Sequence, residues 1–100
     1  MSVVAEDMQS QAQEVSELLK TMAHPVRLLV LCQLVNQELS AGELVQRSSL
    51  SQSAFSQHLT VLKKHGIVKV RKEAQQVFYS LADERVEKLL DSLYGLFCKS

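Results

Sequence analysis

The sequence predicts a mainly α-helical chain that carries one β-hairpin, an α+β class, and three observations lead there. One Pro and three Gly among 100 residues are too few for an all-β fold built on tight turns. Apolar residues at 46% and charged residues at 22% fit a globular chain rather than a disordered one. Apolar positions recur at helical spacing through most of the chain and change to β-branched and aromatic runs only between Ile67 and Tyr79. A chain this short buries one modest core, so residues 1–100 are expected to form a single domain with no room for a separate catalytic unit.

Met8, Ala12, Val15, Leu19 and Met22 step by helical intervals and define a first helix from about Glu6 to Met22. Pro25 suits the first turn of a second helix, from about Pro25 to Val35. Its run Leu28 to Cys32, with Leu34 and Val35, is apolar nearly all round, which predicts the most buried helix, with Cys32 in or at the edge of the core. Asn36 to Glu38 read as a connection. Ser40 followed by Glu43 is a capping box for a short third helix, Ala41 to Arg47. Ser51 caps a fourth helix that runs to about His65 and stops at Gly66 in a left-handed conformation. Ile67 to Val70 and Val77 to Tyr79 flank the polar Lys72-Glu73-Ala74-Gln75 as a two-stranded hairpin, and Asp83 opens a last helix. The predicted order is therefore helix, helix, helix, helix, strand, strand, helix.

The third and fourth helices, joined by a polar turn, make a helix-turn-helix candidate, and the hairpin after them makes it a winged one. On a wheel of about 100° per residue, Phe55, Leu59 and Leu62 share the inward side of the fourth helix. Opposite them lie Ser53, Gln57, Thr60 and Lys64, with Ser56 on the flank and Gln52 in the first turn. Short hydroxyls permit close approach to a major groove, Gln can bond a base edge, and cations reach phosphates.

Charge agrees with this reading once it is resolved along the chain. The total is zero, but residues 55–81 hold Lys63, Lys64, Lys69, Arg71 and Lys72 against Glu73 alone, a local net of +4. Such a segment suits a polyanion, and a solvated surface is the competing account. The expected DNA-binding set is Gln52, Ser53, Ser56, Gln57, His58, Thr60, Lys63, Lys64, Lys69, Arg71, Lys72 and Gln75. His58 lies about 60° from the inward side of its helix, a position suited to packing or to a backbone contact.

No apolar stretch approaches the ~20 residues of a membrane span. The start carries Glu6 and Asp7 where a secretory signal would carry Lys or Arg, and two Cys are too few for a secreted disulfide scaffold. A cytoplasmic, nucleoid-associated address is expected. Two Cys in a reducing compartment are redox-active, metal-binding or merely buried.

Several strings in this chain resemble the ArsR/SmtB family of bacterial repressors. They are Leu39-Ser40-Ala41-Gly42-Glu43-Leu44, Leu50-Ser51-Gln52-Ser53-Ala54-Phe55-Ser56-Gln57-His58-Leu59, Gly66-Ile67-Val68, and Arg71 through Leu81. The likeness runs from about Leu18 to Cys98 and includes His24-Pro25 with Arg27. A Cys at each end brings it nearest to the group containing HlyU, BigR and YgaV. The resemblance implies a homodimer on double-stranded promoter DNA that is released when an inducer arrives. It also implies that Cys32 and Cys98 form a redox-sensing dithiol for reactive sulfur species or oxidants, closed by a disulfide or polysulfide bridge. In the chain-entropy account such a bridge corresponds to roughly 4 kcal/mol, above the ~1–3 kcal/mol usual for allosteric coupling.

A dimer has support in the apolar faces of the first and last helices. Met8, Ala12, Val15, Leu19, Leu89, Leu93, Leu96 and Phe97 are the expected interface, although stripe spacing alone also allows these faces to close the core of one chain. A metal-responsive repressor of the same family is the weaker alternative. No Cys-x-Cys precedes the helix-turn-helix, no His follows Asp83, and His24, His58 and His65 have no ligand spacing, so no metal or cofactor is expected. A protein-interaction module without a sensor is the other alternative. An enzyme is not expected, since neither a Cys-x-x-Cys motif nor a cofactor loop is present.

Overall fold

In the computed structural model, which describes residues 2–98 and the side chains of 8–98, five helices pack beside a small sheet. The helices are α1 (Ser2–Met22), α2 (Pro25–Gln33), α3 (Ala41–Gln46), α4 (Gln52–Lys64) and α5 (Glu84–Phe97), and the strands are β1 (Leu39–Ser40), β2 (Val68–Glu73) and β3 (Gln76–Leu81). The helices and the hairpin follow the expected order, with β1 added. This two-residue strand pairs antiparallel with Tyr79 and Phe78, so the sheet runs β1-β3-β2 and joins the entrance of the helix-turn-helix to the hairpin.

Local chemistry explains the helix ends. The Ser40 hydroxyl accepts from the Glu43 amide at 3.1 Å while the Glu43 carboxylate accepts from the Ser40 amide at 2.8 Å, a complete capping box. Ser51 accepts from the Ala54 amide, Asp83 from the Arg85 amide, and Gly66 turns the chain after α4 at φ +72°. The second helix ends at Gln33, short of the expected Val35. Leu34 leaves helical geometry and Asn36 takes a left-handed φ of 62°, which turns the chain toward β1.

The hairpin is longer than expected because Lys72 and Glu73 pair with Val77 and Gln76 instead of looping. Ala74 and Gln75 alone make the turn, and Ala74 takes φ +56°, a conformation that costs an L residue roughly 1 kcal/mol.

Leu31, Leu34, Leu44, Phe55, Leu62, Ile67, Val86 and Leu90 are fully buried, joining α2, α3, α4, the sheet and α5 in one core. α2 is less enclosed than expected. It packs on α4 and α5 through Val30, Leu31 and Leu34, and its other side leaves Leu29 and Cys32 exposed.

The stripe on α1 divides: Met22 is buried and Leu18 packs on the core, whereas Met8 and Leu19 are exposed. α1 therefore projects. The radius of gyration, 15.0 Å, exceeds the ~13 Å of a compact 100-residue domain.

Candidate functional site

α4 displays two faces of opposite character. Phe55, Leu59 and Leu62 lock it to the core, and Gln52, Ser53, Ser56, Gln57, Thr60, Lys63 and Lys64 are all exposed. The capped N-terminus and the buried face, packed on α2, β2 and the end of α1, orient this row outward. Between α3, α4 and β3 lies an open groove of about 500 Å³ bordered by Gln46, Gln52, Ser56, Thr60 and Tyr79, with Leu59 on its floor. Gln46 and Tyr79 were not foreseen from the sequence. No local pattern marks them, because they reach the groove only when α3 and β3 are folded beside α4.

The hairpin distributes its cations unevenly. Lys69 and Arg71 fall on one face of β2 and Lys72 on the other, as strand alternation requires. Lys63, Lys64, Lys69 and Lys72 form no salt bridge among the described residues. Arg71 is committed elsewhere. Its guanidinium donates to both carboxylate oxygens of Glu38 at 3.1 and 2.8 Å, lies 3.5 Å from Glu73, and covers the Phe78 ring at 4.7 Å. The Glu38 carboxyl is held below its usual range chiefly by the hydrogen bond from Arg71. The positive segment counted along the chain is therefore partly neutralised by an acid that folds onto it from outside that segment. A phosphate would compete with Glu38 for Arg71. Gln75 is exposed at the tip, beside a cleft shared with Ser40 and the start of α3.

His58 faces inward. Its Nδ1 accepts from Arg27 Nε at 3.2 Å, and its ring lies 4.3 Å from that of His24. Burial first, then the charges of His24 and Arg27, hold His58 below the ordinary imidazole value. His24 is the N-cap of α2, its Nδ1 accepting from the Val26 amide, and His65 closes α4.

Cys32 occupies the last turn of α2 and opens into a cavity of about 210 Å³ lined by Val35, Leu90, Asp91 and Tyr94. Cys98 is the C-cap of α5, its amide donating to the Tyr94 carbonyl at 2.9 Å. Both thiols are free and exposed. Burial pushes the Cys32 thiol above its ordinary value, and the neighbouring Cys98 adds a smaller push in the same direction. Cys32 is thus accessible, and the same surroundings disfavour its thiolate. Among the described residues no three His, Cys, Asp or Glu side chains gather where they could hold a metal ion.

Of the residues expected to cover a partner copy, Met8, Ala12, Leu19, Leu96 and Phe97 are exposed, with Leu96 and Phe97 at 75% and 80%. Val15 and Leu93 are half-buried, and Leu89 packs on the core of its own chain. Tyr94 adds a large exposed ring to α5. No described helix is long and apolar enough to cross a membrane.

Residues 24–70 match the family described as bacterial regulatory protein, arsR family. The chain is 46% identical over 93 residues to the biofilm growth-associated repressor of Xylella fastidiosa, covering 93% of this chain and 82% of that protein. It is 45% identical over 95 residues to the transcriptional activator HlyU of Vibrio cholerae, covering 95% and 88%. The structure of reduced HlyU from Vibrio cholerae superposes with a TM-score of 0.89 at 46% identity, covering 94% of this chain and 99% of that one.

Proposed function

Since the chain belongs to the ArsR family of bacterial regulatory proteins and is a winged-helix, DNA-binding transcription regulator rather than an enzyme, we propose that it acts as a homodimer on palindromic promoter DNA and is switched by its two thiols. The exposed row on α4, from Gln52 and Ser53 through Ser56, Gln57 and Thr60, enters the major groove, and Lys63, Lys64, Lys69 and Lys72 meet phosphates. The free apolar faces of α1 and α5 cover each other across a two-fold axis. Two copies of α4 then stand about one helical turn of DNA apart, ~34 Å.

The observation that carries the switch is the placement of the thiols. Cys98 ends the same helix whose Leu90, Asp91 and Tyr94 line the cavity at Cys32, and it lies near enough to influence the ionisation of Cys32. The inducer class is a persulfide. One cysteine thiolate attacks its outer sulfur, forming a cysteine persulfide and releasing the donor's thiolate. The second cysteine thiolate attacks the inner sulfur, closing the disulfide and releasing hydrosulfide. A longer polysulfide bridge or an oxidant-formed disulfide would link the same two helices. A relative solved in a form named as reduced is consistent with a redox-dependent state.

The test is fluorescence anisotropy of the reduced protein on a palindrome from its own upstream DNA, before and after anaerobic treatment with a persulfide. Tight binding that weakens on treatment and recovers with dithiothreitol is expected. Cys32→Ser should bind DNA normally and ignore the persulfide. A normal response from that variant overturns the switch, and absence of salt-sensitive DNA binding overturns the reading of α4.

A further inference from the structure

The polar cluster where α1, α2 and α4 meet is not used by either the DNA-contacting row or the thiols. Arg27, in the first turn of α2, donates from Nε to His58 Nδ1 on α4 at 3.2 Å and from a terminal nitrogen to the Thr21 carbonyl near the end of α1 at 2.9 Å. His24 packs its ring on His58 at 4.3 Å with a tilt of 47°, while its own Nδ1 caps α2. One guanidinium therefore bonds across three helices, with its donors held in a fixed fork. The outward row of α4 lies next to His58 in sequence, so a small rotation of this helix about its axis displaces Gln57 and Ser56 from any base edge they address.

We infer that Arg27 is a positioning residue for DNA recognition, and that it acts through His58, whose role is to accept Arg27's hydrogen bond rather than to touch DNA. This rests on α4 being the DNA-reading helix. The clamp holds only while His58 Nδ1 is unprotonated, because a proton there would turn the acceptor into a donor facing a donor and set a second cation beside Arg27. The charged and titratable groups that face His58 are Arg27 from α2 and His24 from the α1–α2 junction, and neither stabilises an imidazolium. Acidification is therefore expected to loosen α4 before it unfolds the chain. The same α2 carries Cys32 in its last turn, which makes this clamp a direct link from that helix to α4.

The experiment measures anisotropy on the upstream palindrome with the reduced full chain and five variants, each checked for an unaltered melting transition. Arg27→Met and His58→Leu should each weaken binding roughly tenfold, the size of one lost charge-assisted hydrogen bond, and together no more than either alone. His58→Asn places an amide oxygen where Nδ1 stands. It should retain most of the affinity and reduce the loss of binding seen as pH falls below the ordinary imidazole value of about 6.5. Gln57→Ala, on the outward face, tests α4 alone. Loss with Gln57→Ala but wild-type affinity in Arg27→Met overturns the inference and keeps the reading of α4. Unchanged affinity with Gln57→Ala removes that reading. His58→Asn as weak as His58→Leu makes His58 a DNA contact and overturns the inference. If Arg27→Met fails to fold, the two His58 variants still decide.

Discussion

Between Ser40 and Leu81 every helix has its cap and no large apolar side chain is exposed. Ser40 and Ser51 close α3 and α4, and Leu44, Phe55, Leu59, Leu62, Ile67 and Val68 interlock beneath the three-stranded sheet. In α1 and α5 the helices are as regular, but Met8, Leu19, Tyr94, Leu96 and Phe97 face outward. The contrast separates a unit that finishes its packing within one chain from a pair of helices that leaves apolar surface uncovered. The proposed function gives the first region the reading of DNA, which calls for a preorganised unit, and the second the contact with another copy, which calls for an uncovered apolar face.

The contrast breaks most forcefully in the core of the first region. Phe55→Ala removes a fully buried ring and is expected to lower stability by ~3–5 kcal/mol, read from urea melts at unchanged slope. In the second region, Leu96→Ser with Phe97→Ser should leave each chain folded but abolish the proposed dimer in sedimentation velocity. DNA affinity then falls on the order of 100-fold as two linked half-sites become one, and melting ceases to depend on protein concentration.

Smaller changes sharpen the picture within the first region. Ser40→Ala dissolves the capping box and is expected to cost ~1 kcal/mol in the same melts. Ala74→Gly relieves the positive φ at the hairpin tip and should stabilise by about 0.5 kcal/mol, with little change in DNA affinity.

Least is expected from acidity. His58 has a lowered value in the folded chain, so below the ordinary ~6.5 the unfolded chain binds more protons than the folded one. This contribution is fully present above that value and is lost as pH falls through the folded one. Melts of wild type and His58→Asn across that range check the sign.

The helices, the caps at Ser40, Ser51 and Asp83, the glycine stop at Gly66 and the hairpin were legible in the sequence because they rest on neighbours a few residues apart. Ser40 with Glu43, or Phe55 with Leu59 and Leu62, needs nothing beyond helical spacing to be read. The polar row on α4 was legible for the same reason. Wherever the partner lies far along the chain, spacing was silent. Glu38 reaching Arg71, Arg27 reaching His58, β1 pairing with β3, and Gln46 with Tyr79 beside the groove are all meetings between distant segments. The thiols show both limits. Two cysteines could be counted in advance, but that α2 exposes Cys32 at a cavity faced by α5 depends on how the two helices pack. Local hydrogen-bonding and periodicity are properties of the chain itself, so the sequence alone determined the helices, the hairpin and their polar faces. Which charge neutralises which, and which apolar face stays open, follows from surfaces brought together in three dimensions, and only the tertiary structure decided it.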